Sequence, residues 1–99
     1  MKKIFLSLGF NGRTEEDVMS DIDNAKKWIC SNYPEEEFEF VHNYNYIGGN
    51  RIECLGEAIK KMSTCDHVYF INDWFFHKGC MVEKKVCELY KIENDSIVI

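Results

Sequence analysis

Cys65–Tyr90, CDHVYFINDWFFHKGCMVEKKVCELY, is the stretch whose reading decides the fold. His67–Ile71 is a short apolar run of the kind that forms a buried strand. A polar and aromatic loop follows, then Gly79, then a helix from about Cys80 to Tyr90. Val82, Val86 and Leu89 recur in it at helical spacing and are expected to pack inward. Glu83 falls early in that helix. In an open α/β sheet, ligands bind where strand ends hand over to helix starts. A carboxylate at that crevice makes Glu83 the leading candidate for a chemical residue.

Working outward, Lys3–Leu8 (KIFLSL) is short, apolar and closed by Gly9, as expected of a central strand. Thr14-Glu-Glu-Asp17 signals a helix start: the threonine hydroxyl can cap, and the acids suit the positive helix end. Val18, Ile22, Ala25 and Ile29 form its apolar stripe, and Asn32-Tyr33-Pro34 ends it. Glu37–Val41 (EFEFV) alternates acid and apolar residues, the mark of an edge strand. A loop, HNYNYIGGN, leads to a second helix, Arg51–Met62, with Ile52, Leu55, Ile59 and Met62 expected inside. Ser96–Ile99 reads as a fourth strand. Strands alternating with helices imply a parallel sheet with right-handed crossovers. The expected fold is α/β: a three-layer, flavodoxin- or Rossmann-like doubly wound sheet of four strands in order 2-1-3-4, with the switch point between strands 1 and 3.

Ninety-nine residues at 45% hydrophobic and 14% aromatic content make one domain with a real core. The net charge of -5 argues against a nucleic-acid polymer or an anionic membrane as partner. The five cysteines lack a CxxC pair and number an odd count, so buried reduced thiols in a cytoplasmic protein are expected, not disulfides or a metal site. The opening MKKIFLSLGF has an apolar run too short for a secretory leader, and no run reaches the length of a membrane span.

Other residues carry two readings each. The loop Gly9-Phe10-Asn11-Gly12-Arg13 offers glycines and free amides to an anion, with Arg13 as a bidentate hold, or is an ordinary turn with a solvated arginine. It is neither a GxGxxG fingerprint nor a phosphate-binding Walker loop. Asp73 accepts from sugar hydroxyls or caps a turn; Trp74 offers a stacking face or covers the core edge. His77 titrates near neutrality or is merely exposed, and His42 and His67 read as structural. Glu83 itself has a plain reading, since the macrodipole favours glutamate in a first helical turn. Against it stand the crevice and Gly79, which allows close approach of a ligand.

Taken together, KIFLSLGFNGRTEEDVMSDI, LGEAIKKMSTCDHVYFINDW and GCMVEKKVCELYKI resemble the nucleoside 2-deoxyribosyltransferase-like superfamily, in particular its short bacterial and phage members. In that superfamily a strand of the type ADxVxxxxDW is followed by a GxxxE step carrying the catalytic glutamate; Asp66, Asp73, Gly79 and Glu83 stand at the matching positions, and Ser7–Arg13 at the first loop. The resemblance covers nearly the whole chain. It implies cleavage or transfer at an N-glycosidic bond of a nucleoside or nucleotide, with no cofactor. Glu83 would be the nucleophile. Asp73 would hold sugar hydroxyls or help protonate the base, Ser7, Gly9, Phe10, Asn11, Gly12 and Arg13 would receive the 5′ group, Trp74 or Tyr46 would stack on the base, and Gly79 would admit the sugar. Relatives often carry proline where Gly9 stands, and the longer transferases borrow pocket residues from a neighbouring subunit's C-terminal tail. With the last strand at Ile99, hydrolysis is expected over transfer, in a homo-oligomer (dimer or tetramer). A nucleotide-binding or sensing module without turnover, and an oligomeric structural protein with a relic pocket, are the alternatives; burial of Trp74-Phe75-Phe76 between subunits would mark the latter.

Overall fold

The computed structural model describes residues 1–44 and 49–99. Strands β1 (Lys2–Ser7), β2 (Phe38–Val41), β3 (His67–Ile71) and β4 (Asn94–Ile97) alternate with helices α1 (Glu15–Asn32), α2 (Arg51–Met62) and α3 (Lys78–Tyr90). All strand pairs are parallel and the order is β2-β1-β3-β4. The expected α/β fold class and strand order are therefore present.

Alternation along β1 and β3 sorts the core into two layers. Ile4, Leu6 and Leu8 join Tyr69, Ile71 and Ile97 against α1. Phe5, Val68 and Phe70 point the other way, against Ala58 and Met62 of α2 and Cys87 of α3. Central strands buried on both faces explain why KIFLSL and HVYFI read as nearly unbroken apolar runs. β2 lies at an edge and is at most half-buried, as its alternating acids require.

α1 forms where its signals place it. Thr14 Oγ1 accepts from the Asp17 amide at 3.1 Å, and three acids occupy the first turn. Val18, Ile22, Ala25 and Ile29 are all fully buried. Burying each larger member of that stripe stabilises the fold by about 1.5–3 kcal/mol.

The other helices depart from the expected inward faces, α2 in part and α3 more fully: in α2 Met62 is buried as expected, and Leu55 and Ile59 are half-buried. In α2 the side chains against the sheet are Ala58 and Met62, while Ile52 is 80% exposed. Ile52 lies in the first turn, well round the helix from Ala58 at 100° per residue. In α3 the buried residues are Cys80, Glu83 and Cys87. Val82 and Leu89 face solvent, and Val86 is half-buried at the edge of the core. α3 also begins at Lys78, so Gly79 lies inside its first turn, and residues 74–76 form a short 3-10 turn in place of an open loop. β4 ends two residues before the expected Ile99. Its partner β3 stops at Ile71: Asn72 still donates its amide to Ile97 O, but with φ 53° it turns the chain away beyond that bond.

Candidate functional site

The crossover from β1 to β3 leaves two loops side by side at the C-terminal end of the sheet, as the switch-point argument requires. Two features meet there: an open cleft, and beside it a buried polar cluster.

The cleft has a volume of about 430 Å³. Gly9, Arg13, Asn72, Asp73 and His77 line it, together with Asp21 of α1 and the apolar Ile71, Val98 and Ile99. Asn72 builds its far wall: its amide donates to Ile97 O and its Oδ1 accepts from the Ile99 amide, both at 2.8 Å. The segment after β4 is thereby tied to the end of β3. Arg13 is committed to the protein. Its guanidinium donates to Asp21 Oδ2 at 2.7 Å and to Gly9 O at 2.8 Å, so it braces the first loop against α1. Within that loop, Arg13 N bonds Phe10 O at 3.3 Å, and Gly12 takes φ +74°, the third position of a turn that favours glycine. One loop amide is thus consumed internally.

The polar cluster is built from β1 and α3. Ser7 is the last residue of β1 and points to the α3 side, where its Oγ donates to Glu83 Oε1 at 2.6 Å. Among the described residues Ser7 is the one hydrogen-bond partner of this carboxyl, which is only 7% exposed. Burial raises the Glu83 pKa from 4.5 to about 7, and the Ser7 bond offsets part of that rise. Cys80, one turn earlier, shares Ser7 with Glu83; burial lifts its thiol to about 12 despite that bond. A carboxyl that sits half-ionised at neutral pH, held by a neutral donor and no cation, can act as acid, base or nucleophile.

The remaining candidates scatter. Asp73 is exposed on the cleft wall at the start of the 3-10 turn. Trp74 packs on Phe70, ring centroids 5.2 Å apart, and belongs to the α2–α3 layer, so its core-edge reading describes what it does here. Phe10 packs edge-on to Tyr44 at 5.4 Å on the α1 side. Asn11 and Gly12 are exposed; Gly79 is exposed with open space around its α-carbon. Phe10, Asn11, Gly12, Trp74 and Gly79 are not among the residues lining the cleft. Tyr46 lies outside the described residues. His67 bonds Asp95 at 2.9 Å across β3 and β4, and burial with Lys26 and Lys61 nearby holds His42 below its ordinary pKa.

Sequence reasoning passed over Cys80 as a member of the cluster, and the pairing of His77 with Gly9. Cys80 had a signal, since it stands three residues before Glu83 on a helix and so shares its face; Gly9 lies past the end of β1, and its meeting with His77 across the layers left no local trace. Among the described residues no group of three or more His, Cys, Asp or Glu side chains is arranged to hold a metal, and no helix is long and apolar enough to cross a membrane. No family model, curated protein or solved structure matches the chain.

Proposed function

We propose that this protein cleaves the N-glycosidic bond of a nucleoside or nucleotide, with Glu83 as nucleophile. The observation that carries the reading is the buried Ser7–Glu83 pair, set beside a polar cleft at the switch point of the sheet. Glu83 in its ionised form attacks the anomeric carbon. The C–N bond breaks, its electron pair leaves with the base, and the base takes up a proton. Water, losing a proton, then displaces the carboxylate and releases the sugar; a second base in place of water makes the reaction a transfer. Asp73 is the polar group on the cleft wall suited to sugar hydroxyls or to the departing base. Arg13 reaches a 5′-phosphate only by exchanging its pair with Asp21, so a free 5′-hydroxyl suits the braced loop better.

The test is release of free base from a panel of nucleosides and 5′-nucleotides, parent beside Glu83→Gln. The expected loss is at least about 10³-fold, the scale on which removal of a catalytic group acts. Because the nucleophile must be ionised, parent activity should climb as pH rises through about 7. Equal rates in mutant and parent would sink the assignment.

A second reading has its own support. Glu83 is not among the residues lining the cleft, so the cleft can hold a nucleotide without turnover. Thermal stabilisation by a nucleotide, with no base released, would select that binding module. A homo-oligomer in a cytoplasmic setting is part of the same proposal: Phe75 and Phe76 are exposed, Phe76 at 75%, and offer an apolar patch to a second copy.

A further inference from the structure

The catalytic candidate and the cleft are neighbours that share no lining residue, and the Gly9–His77 contact lies at the cleft wall. Gly9 and His77 belong to the cleft wall; Ser7 and Glu83 do not. A methyl group on the Gly9 α-carbon would lie 2.0 Å from Cδ2 and 2.1 Å from Cγ of His77, so the imidazole already fills the space a side chain would take. Gly9 has no positive φ, so the contact, not the backbone, calls for glycine there.

The order of these residues along the two elements fixes what the ring covers. Leu8 packs toward α1, so alternation continues past the end of β1 and Gly9 faces α3 as Ser7 does. Ser7 and Gly9, the latter two residues past the end of β1, are separated by about 7 Å of extended chain. His77 is the residue that leads into α3, six before Glu83, or about 9 Å along the helix axis. Ser7–Glu83 and Gly9–His77 are thus successive rungs between one strand and one helix. The inner rung is polar and buried; the outer is a ring against a bare α-carbon, on the side of the cleft.

The ring is held there by contact alone. His77 occupies the N-cap of α3, yet its side chain makes no capping bond, and among the described residues no hydrogen bond ties the imidazole. Serine, threonine or aspartate at that position would typically stabilise the helix by about 1 kcal/mol relative to a residue that does not cap. A side chain of this kind, half-exposed and unbonded, changes rotamer readily.

We propose that His77 gates the Ser7–Cys80–Glu83 cluster: seated on Gly9, its ring closes the way from the cleft to these buried groups, and swinging off Gly9 opens it to a small polar ligand. The identity of that ligand rests on the glycosidase reading; the gate does not. Cys80 reports on it without turnover, because its thiol lies in the same cluster and is shielded with Glu83. Cys87, buried two turns further along α3, serves as the internal control.

The experiment is alkylation of the native protein by iodoacetamide, with the rate at each cysteine read by peptide mass spectrometry. The parent is compared with His77→Ala, which removes the ring, with Gly9→Ala, which displaces it, and with His77→Phe, which keeps a ring in place. Cys80 should react about tenfold faster or more in the two opening variants, as local exposure demands, and at the parental rate in His77→Phe, with Cys87 protected throughout. An unchanged Cys80 rate in both opening variants overturns the gate, and so does a rise at Cys87 in step with Cys80. Faster Cys80 labelling without release of base leaves the gate standing and removes the glycosidase reading. Base release with Cys80 unmoved does the reverse.

Discussion

A glutamic acid buried with one serine for company costs the fold stability, and the cost depends on pH. Glu83 binds its proton more tightly in the folded chain, where its pKa is about 7, than in the unfolded one, near 4.5. Native protein therefore carries more protons between those values, and stability falls as pH rises from about 4.5 through 7, then levels. Glu83→Gln keeps the shape and an acceptor for Ser7 while removing the charge. In denaturant melts the variant should gain up to about 3 kcal/mol over the parent at pH 8, and the gain should shrink toward zero near pH 4.5. A gap of constant size across that range would show that the buried charge is not its source. The acid was legible as a candidate from its place in the sequence. Its serine was named only as part of a loop, because a contact across 76 positions leaves no local trace.

Among the helices, α1 was readable in full and α3 only in part. Val18, Ile22, Ala25 and Ile29 form the one sustained apolar stripe of α1, and Thr14 marks its start. Thr14→Ala should lower stability by about 1 kcal/mol, a drop of roughly 4–8 °C in Tm for a domain of this size, as seen in a thermal melt. Ile22→Ala, which empties a fully buried site, should cost more, about 2–5 kcal/mol. α3 offers two stripes at helical spacing, Val82–Val86–Leu89 and Cys80–Glu83–Cys87. Hydropathy favours the first, and the folded chain buries the second. Pattern alone could not choose, since the choice turns on Ser7 and His77 meeting their partners across the layer.

At the scale of the molecule, protection should follow strand position more than local hydropathy. β1 and β3 are paired on both sides and covered on both faces; β2 and β4 are edges. Hydrogen exchange should therefore leave the amides of Phe5, Leu6, Tyr69 and Phe70 slowest, with those of β2 exchanging earlier. Slowest exchange in β2 would contradict this layering. Among the described residues α1 is the one helix packed on its face of the four strands. A groove of about 300 Å³ runs beside it between Trp28, Tyr33, Tyr69 and residues 95–98, in β4 and just past its end.

By itself the sequence determined the alternation of strands and helices, the parallel sheet and its order, because each rests on short-range periodicity and on the handedness of crossovers. It also placed Glu83 near the crevice. Only the tertiary structure decided which face of α3 turns inward, that Arg13 is spent on Asp21 and Gly9, and that His77 seats its ring on Gly9 at the cleft wall. Those outcomes depend on which side chains meet across layers. Such meetings are set by rotations of whole helices against the sheet, and where two stripes compete, as in α3, no local run of residues decides the rotation.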